Sequence, residues 1–434
     1  MPQPSQDEIA RKRAERAARR ERPPAQAPRP PVYQRTWVPV GGAPGRRVRI
    51  VSWNMLAQSL VRRNLFPGSD CLRANDRIPG IAAELRAHDW DIGCFQEVDC
   101  VKDHAKALWT AGYDYTYNKG FEAKQHGLMI AWRARNVHDG LRQCFCSPLC
   151  TRVTYLDDLR LNERTTGISR ITRNVALFAA LPFNNAVGGV VVATTHLFWK
   201  PRYAYERARQ VAVLVRELER FRASSPEWAS WPAVVAGDFN DQPHSPTYTL
   251  VSGAGAAYAG VLSRELADSR VVDASVDMAA GIAPGNVNED GDPDRILDPH
   301  RKPDPGMLYT TAELIDACGP GLQSAYGSAY SRVDGENLYF SDRNGAPELY
   351  DEVAQLPSTD ARVTQSCEPK WTLYSSLFRL TLDYIFAAQC RGAYPAVTAL
   401  LALHPEHVLA AGGIPRKTIC ASDHVLIGAE YAFT

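Results

Sequence analysis

Apolar residues in this chain gather in short runs rather than long stripes. From residue 47 onward such runs recur at Val48–Met55, Asp91–Val98, Gly127–Trp132, Asn174–Leu181, Val190–Thr195, Ala233–Phe239, Leu382–Ala387 and Val425–Phe433. Their length and their valine and isoleucine content predict β-strands. The period changes after Pro201, where Ala204, Ala208, Val211, Val215, Leu218 and Phe221 follow steps of three and four. That spacing predicts an amphipathic helix, with Arg207 and Arg209 expected on its solvent face. Strands interspersed with helical segments give an α/β class, and no internal repeat is visible.

Two segments break the pattern. Arg11, Lys12, Arg13, Arg16, Arg19, Arg20 and Arg22 are followed by Pro23-Pro24 and Pro28-Arg29-Pro30-Pro31, too much proline and charge for a packed core. Residues 1–45 are therefore expected to be a basic, proline-rich tail, and residues 46–434 a single folded domain. The tail reads as a solvated extension, a nuclear-localisation signal or an arm for RNA phosphates. Asp7, Glu8, Glu15 and Glu21 argue against a mitochondrial presequence. Residues 284–306 hold six acidic residues and five prolines and are expected to form an exposed acidic loop insertion. Its Asp290-x-Asp292-x-Asp294 is not an EF-hand, because Arg295 stands where glycine is needed and Arg301 where glutamate is needed.

Composition narrows the function classes. A 45% hydrophobic chain with 49 basic and 48 acidic residues is globular and has no overall field to draw nucleic acid, so attraction must be local. The absence of a long apolar run argues against a membrane span and a secretory signal, and an intracellular location, nuclear or cytoplasmic, is expected. The ten cysteines include no CxxC pair, and Cys144, Cys146 and Cys150 lack a zinc-type spacing. Free, mostly buried thiols in a reducing compartment are expected.

The chemistry sits at the strand ends. Ser52-Trp53-Asn54-Met55 and Phe95-Gln96-Glu97-Val98 close the first two runs. Thr194-Thr195-His196-Leu197 and Ala236-Gly237-Asp238-Phe239-Asn240 close two later ones. Leu382-Asp383-Tyr384 opens another, and Ser422-Asp423-His424 precedes the last. Polar residues at strand ends of a layered sheet point into the loop-lined crevice where ligands bind.

This ordered set resembles the endonuclease/exonuclease/phosphatase superfamily over roughly residues 47–434. The resemblance implies a four-layer α/β/β/α sandwich, like that of deoxyribonuclease. Leu56-Ala57-Gln58 and Thr195-His196-Leu197-Phe198-Trp199-Lys200-Pro201 are similar to the carbon-catabolite-repressor, Nocturnin and Angel branch. Ala57–Pro67, His126-Gly127-Leu128 and Trp371–Phe386 look most like the fungal Ngl-type RNA exonucleases.

Carried over residue by residue, the resemblance makes Glu97 the metal carboxylate, with Asn54 beside it contacting the metal or the phosphate, and Asp423 the other supporting or metal-facing carboxylate. Asp238 orients and deprotonates the water, Asn240 holds the scissile phosphate, and His424, paired to Asp383, donates to the phosphate oxygens. His196 is a second phosphate contact. The hard oxygen donors favour Mg²⁺, with Mn²⁺ as a substitute. Pro201 and Phe378 match the positions that sandwich a base in the deadenylases. Arg62, Arg63, Arg170, Arg173, Arg202, Arg207 and Arg209 lie near the motifs in sequence and are candidates for contacts to the RNA backbone, with none of them singled out.

The expected function is a 3′→5′ exoribonuclease that trims poly(A) or ribosomal RNA 3′ ends to 5′-nucleotides. The alternative is a Nocturnin-like phosphatase or phosphodiesterase acting on a small nucleotide. The expected partner is a single-stranded RNA 3′ end, with no membrane, no leucine-rich-repeat module and a monomeric protein.

Overall fold

The computed structural model describes residues 32–121, 124–136, 144–157, 172–271, 306, 308–339, 361–364 and 366–434. Residues 1–31 of the expected tail, and the acidic loop except Gly306, lie outside the described residues.

Two mixed sheets carry the fold. The first contains β1 (Trp37–Pro39), β2 (Arg46–Asn54), β3 (Ile92–Val98), β4 (Tyr113–Asn118), β5 (Gly127–Arg133), β14 (Ala396–Leu401) and β15 (Ile427–Phe433), in the order β1-β14-β15-β2-β3-β5-β4. The second contains β6 (Cys150–Tyr155), β7 (Val175–Pro182), β8 (Gly189–His196), β9 (Ala233–Asp238), β10 (Gln323–Ser324) and β13 (Asp383–Ala387), in the order β10-β13-β9-β8-β7-β6. A hairpin of β11 (Leu373–Tyr374) and β12 (Arg379–Leu380) stands apart.

Each sheet has one parallel pair, β2 with β3 and β8 with β9. Parallel neighbours need a crossover. The first crossover carries the helix Ala74–Ala87, and the second carries the helix Ala204–Ala223 predicted from the sequence. The strands alternate between two apolar faces, as period two requires. Val48, Ile50, Val190, Val192, Val234 and Ile385 fill the layer between the sheets. Val51 and Trp53 pack with Ile81 and Leu85, while Val191, Ala193 and Val235 pack with Val211, Leu214 and Leu218. The architecture is the four-layer α/β/β/α sandwich. No helix among the described residues is long and apolar enough to cross a membrane.

Three expectations need correction. The folded unit begins at Val32, not residue 46. β1 pairs with β14, Trp37 Nε1 donates to the His88 carbonyl at 2.7 Å, and buried Arg35 donates to the Leu426 carbonyl at 2.6 Å. The run of closely spaced prolines in the sequence ends at Pro31. The Arg35 charge is matched by Glu84, whose carboxyl is held down to about 2 by Arg35 and His88 although burial works to raise it.

Arg207 and Arg209 are not on a solvent face either, being 3% and 1% exposed. Arg207 pairs with Asp241 at 2.9 Å, and Arg209 pairs with Glu206 and Asp157 at 2.8 Å each. The charged residues of the first turns of that helix are turned inward onto neighbouring loops, while Glu219 and Arg220 near its end are exposed. Finally, all ten cysteines are free, yet only Cys71, Cys94, Cys318 and Cys420 are buried. Cys144, Cys146 and Cys150 run into the outer strand β6, where cover is partial.

Candidate active site

Strand register assembles half of the site. His196 stands beside Asp238 in the parallel pair β8–β9, and Asp238 stands opposite Asp383 in the antiparallel pair β9–β13. The three side chains form a row across adjacent strands, with His196 Nε2 3.6 Å from Asp238 Oδ2. Glycine is needed at position 237, just before Asp238, because a Cβ there would collide with the Thr195 carbonyl. Asn240 follows with φ of +50°, a left-handed turn in which its N–H donates to Asp238 Oδ1 at 2.8 Å. Its side chain donates to the Leu197 carbonyl at 2.9 Å, and Phe239 N donates to the Leu382 carbonyl at 2.8 Å. The Thr-His-Leu, Gly-Asp-Phe-Asn and Leu-Asp-Tyr motifs are thereby knitted into one floor.

The first sheet supplies the other half. Between Phe95 and Val98 the pairing of β3 with β5 shifts register, and Glu97 sits in that bulge with φ of +54°. A bulge re-aims a side chain at the cost of local strain, and here it leaves Glu97 half-exposed beside buried Asn54. Asn54 Nδ2 donates to Glu97 Oε1 at 2.8 Å and to Asp238 Oδ2 at 3.0 Å, spanning the two sheets. Its Oδ1 accepts from Leu56 N at 2.9 Å, so Asn54 offers mainly its donor end to the crevice. Ala57 N donates to Glu97 Oε2 at 2.9 Å.

His424 joins the halves. Its Nδ1 lies 2.8 Å from Asp383 Oδ2, which also accepts from Thr372 Oγ1 at 2.6 Å. Its Nε2 lies 3.8 Å from Asp238 Oδ2. Burial works to lower the His424 pKa, but Asp383 and Asp238 outweigh it and raise it well above the ordinary histidine value. The paired carboxylates therefore favour the charged form of the ring, while burial works to raise the Asp383 carboxyl. Burial pushes the neighbouring Asp423 carboxyl up, with Glu97 adding to the effect.

Two sets of donors fit a divalent cation differently. Asp238, Asp383 and His424 bring ligand atoms within 4.8 Å of one another. However, Asp383 and His424 already hold each other through a hydrogen bond, which a metal between them would break. Glu97, with Asp423 nearby, offers hard carboxylate oxygens in the half-exposed part of the crevice, where a partly hydrated cation fits. Among the described residues the three cysteines of the 144–150 segment form no such group.

Of the remaining candidates, Pro201 and Phe378 are both half-buried, Phe378 packing on Leu373, Leu380 and Leu382. Arg207 Nη2 donates to the Pro201 carbonyl at 2.9 Å, which ties that loop to Asp241. Arg170 lies outside the described residues. Sequence reasoning assigned no role to Thr372, Arg77, Ser422 or His126. Buried Arg77 donates to the carbonyls of Ala421 and Met55 at 2.9 and 2.6 Å, and Ser422 Oγ donates to the Asn54 carbonyl at 2.7 Å. Together they clamp the loops that carry Asn54 and His424. In the sequence Arg77 has no signal beyond helix membership, whereas Thr372 and His126 lie in the motifs that carry the resemblance.

Comparison with known proteins agrees with this geometry. The model of the Endonuclease/Exonuclease/phosphatase family matches residues 51–424. A Schizosaccharomyces pombe protein named as a probable RNA exonuclease is 34% identical over 213 residues, covering 47% of this chain and 38% of its own. The Saccharomyces cerevisiae RNA exonuclease NGL2 is 26% identical over 349 residues, covering 70% of this chain and 63% of its own. The chain thus spans between 38% and 63% of the length of these relatives. Among solved structures, ANGEL2, described as a 2′,3′-cyclic phosphatase and bound to adenosine-2′,3′-vanadate, has a TM-score of 0.56 at 21% identity, covering 92% of this chain and 99% of its own. The human Nocturnin catalytic domain with bound sulfate has a TM-score of 0.52 at 20% identity, covering 94% and 100%.

Proposed function

The chain belongs to the endonuclease/exonuclease/phosphatase family, and from that premise we propose that it is a Mg²⁺-dependent 3′→5′ exoribonuclease releasing 5′-nucleotides. The observation that carries this reading is the row His196–Asp238–Asp383 facing Asn54, Glu97 and His424 across the junction of the sheets. Two relatives named as RNA exonucleases support RNA as the substrate class.

In this reading Asp238 takes a proton from the attacking water, whose oxygen bonds to phosphorus as the bond to the upstream 3′ oxygen breaks. Asn54, held between Glu97 and Asp238, sets the spacing of the two carboxylates. Doubly protonated His424 donates from Nε2 to a phosphate oxygen, and Asp383 with Thr372 fixes its ring. Asn240 donates to the same phosphate, and His196 is a second phosphate contact. A cation on Glu97, with Asp423 beside it, would polarise the phosphate and offset charge on the departing oxygen. Pro201 and Phe378 take the terminal base.

The test is digestion of 5′-labelled RNA by the purified protein with and without Mg²⁺. A Mg²⁺-dependent ladder shortened from the 3′ end supports the reading. Cuts within the chain regardless of its end, or no cleavage, reject it. Phosphate release from nucleotides without RNA cleavage points to the small-nucleotide alternative.

A further inference from the structure

A second imidazole lies beside the proposed phosphate contacts. His126 immediately precedes β5, whose Gly127 pairs with Val98, so it stands at the active-site end of the first sheet, next to the Glu97 bulge. His196 ends β8 in the second sheet. The two rings meet across the crevice with centroids 6.4 Å apart and planes tilted by 42°. His126 is buried and His196 half-buried, so both rings are held by the fold rather than free on the surface.

The spacing has a chemical meaning. An imidazole nitrogen lies about 1.1 Å from its ring centre and its N–H reaches an oxygen at about 2.9 Å, which puts the oxygen about 4 Å from the centroid. Two such reaches closing on rings 6.4 Å apart meet at roughly 105°, close to the tetrahedral angle at which one oxygen accepts two hydrogen bonds. His196 turns Nε2 toward Asp238, and its Nδ1 has no hydrogen-bond partner among the described residues. The shared oxygen therefore belongs to a group next to the one attacked beside Asp238.

We propose that His126 and His196 form a two-imidazole subsite for a non-bridging oxygen of the backbone phosphate immediately 5′ of the scissile one. This rests on the nuclease reading and extends it. A subsite for the next phosphate favours a chain of at least two linkages over a lone nucleotide.

The test couples a protein change to a substrate change. Short RNAs carry either an ordinary phosphate or a charge-neutral methylphosphonate at the linkage 5′ of the scissile bond, with a 2′-deoxy sugar there in both. Wild type should lose tenfold or more in kcat/KM on the methylphosphonate, mostly in KM. His126→Ala should lose a similar factor on the ordinary substrate, and little more when the methylphosphonate is added. His126→Asn, which keeps a donor of similar reach, should recover part of the loss. Equal methylphosphonate penalties in wild type and both variants would overturn the subsite. So would loss of cooperative thermal unfolding in both variants, which would assign His126 to holding the fold. If wild type cleaves neither RNA, the nuclease reading itself has failed; cleavage without coupling sinks only the subsite.

Discussion

Asp383 and His424 meet through a 2.8 Å Oδ2–Nδ1 contact that ties the second sheet to the first at their shared end. Asp383 opens β13, and His424 lies just ahead of β15. Their alignment therefore reports on how the two sheets pack, and a buried, charge-assisted bond between layers is stronger than its surface counterpart.

Asp383→Asn keeps the size and still accepts from Thr372 and His424, but removes the charge that does most to raise the imidazole pKa. Turnover should fall at least a hundredfold with KM little changed, because the support acts on charge that develops during the reaction. Thermal unfolding should move only modestly. Retention of a third of the wild-type kcat would show that the pair is structural.

Glu97→Ala should abolish turnover by several orders of magnitude, since a bound cation supplies both charge and position. The side chain is half-exposed, so the fold should survive. A second readout is independent of catalysis. Mg²⁺ should raise the melting temperature of the wild type by linkage and leave the variant unmoved. An identical Mg²⁺ shift in both proteins would place the cation elsewhere, with the Asp238, Asp383 and His424 cluster as the next site to test.

The strands that position the site were legible because each is buried on both faces and reads as a nearly unbroken apolar run. β4 and β6 were not, since Tyr113–Asn118 and Cys150–Tyr155 lie at the ends of their sheets with half-exposed, mixed sequences. The motif residues could be read one by one, but not the contacts between them. Glu97 lies in a bulge that only the register with β5 reveals. Arg207 and Arg209 misled because helical spacing locates a face and says nothing of what covers it. Asp241 and Asp157 come from distant loops to meet them. Replacing Arg207 by Lys should lower stability and weaken substrate binding, because one ammonium cannot hold Asp241 and the Pro201 carbonyl together. A melting temperature and KM equal to wild type would deny that link.

Glu368 gives the fold a pH dependence separate from catalysis. Burial raises its carboxyl from the ordinary 4.5 to about 7, with hydrogen bonds from Ser324, Tyr248 and the Gly327 backbone pulling the other way. A carboxyl raised on folding favours the folded state below its unfolded value, and that contribution is lost as pH climbs from 4.5 through 7. The shift corresponds to about 3 kcal/mol as an order of magnitude. Glu368→Gln should therefore melt higher than wild type at pH 8 and no higher at pH 5. Parallel melting curves across that range would mean that the carboxyl is not held protonated.

Phe378 tests base stacking in either substrate class, and the products separate the two classes. It rests on Leu373, Leu380 and Leu382 and stays half-exposed, as a ring offering one face to a base would be. Base stacking on an aromatic ring contributes about 1–3 kcal/mol, so Phe378→Ala should reduce kcat/KM on adenine-ended RNA about five- to a hundredfold. A uracil end has a smaller face and should lose less. The half-buried position limits the stability cost, so the melting temperature separates lost stacking from lost packing. On the proposed exonuclease reading a 3′-terminal phosphate should block the wild type, because that reading seats the terminal nucleotide between Pro201 and Phe378 with its phosphate at Asp238. A small-nucleotide phosphatase would be as sensitive to Phe378→Ala, yet it would release inorganic phosphate at a rate independent of RNA length. Product ladders from adenine-ended, uracil-ended and 3′-phosphorylated oligonucleotides, run beside a phosphate assay on mononucleotides, separate the two. Ladders unchanged by the variant would remove Phe378 from the substrate path and leave the metal-dependent centre to stand on Glu97 and Asp238 alone.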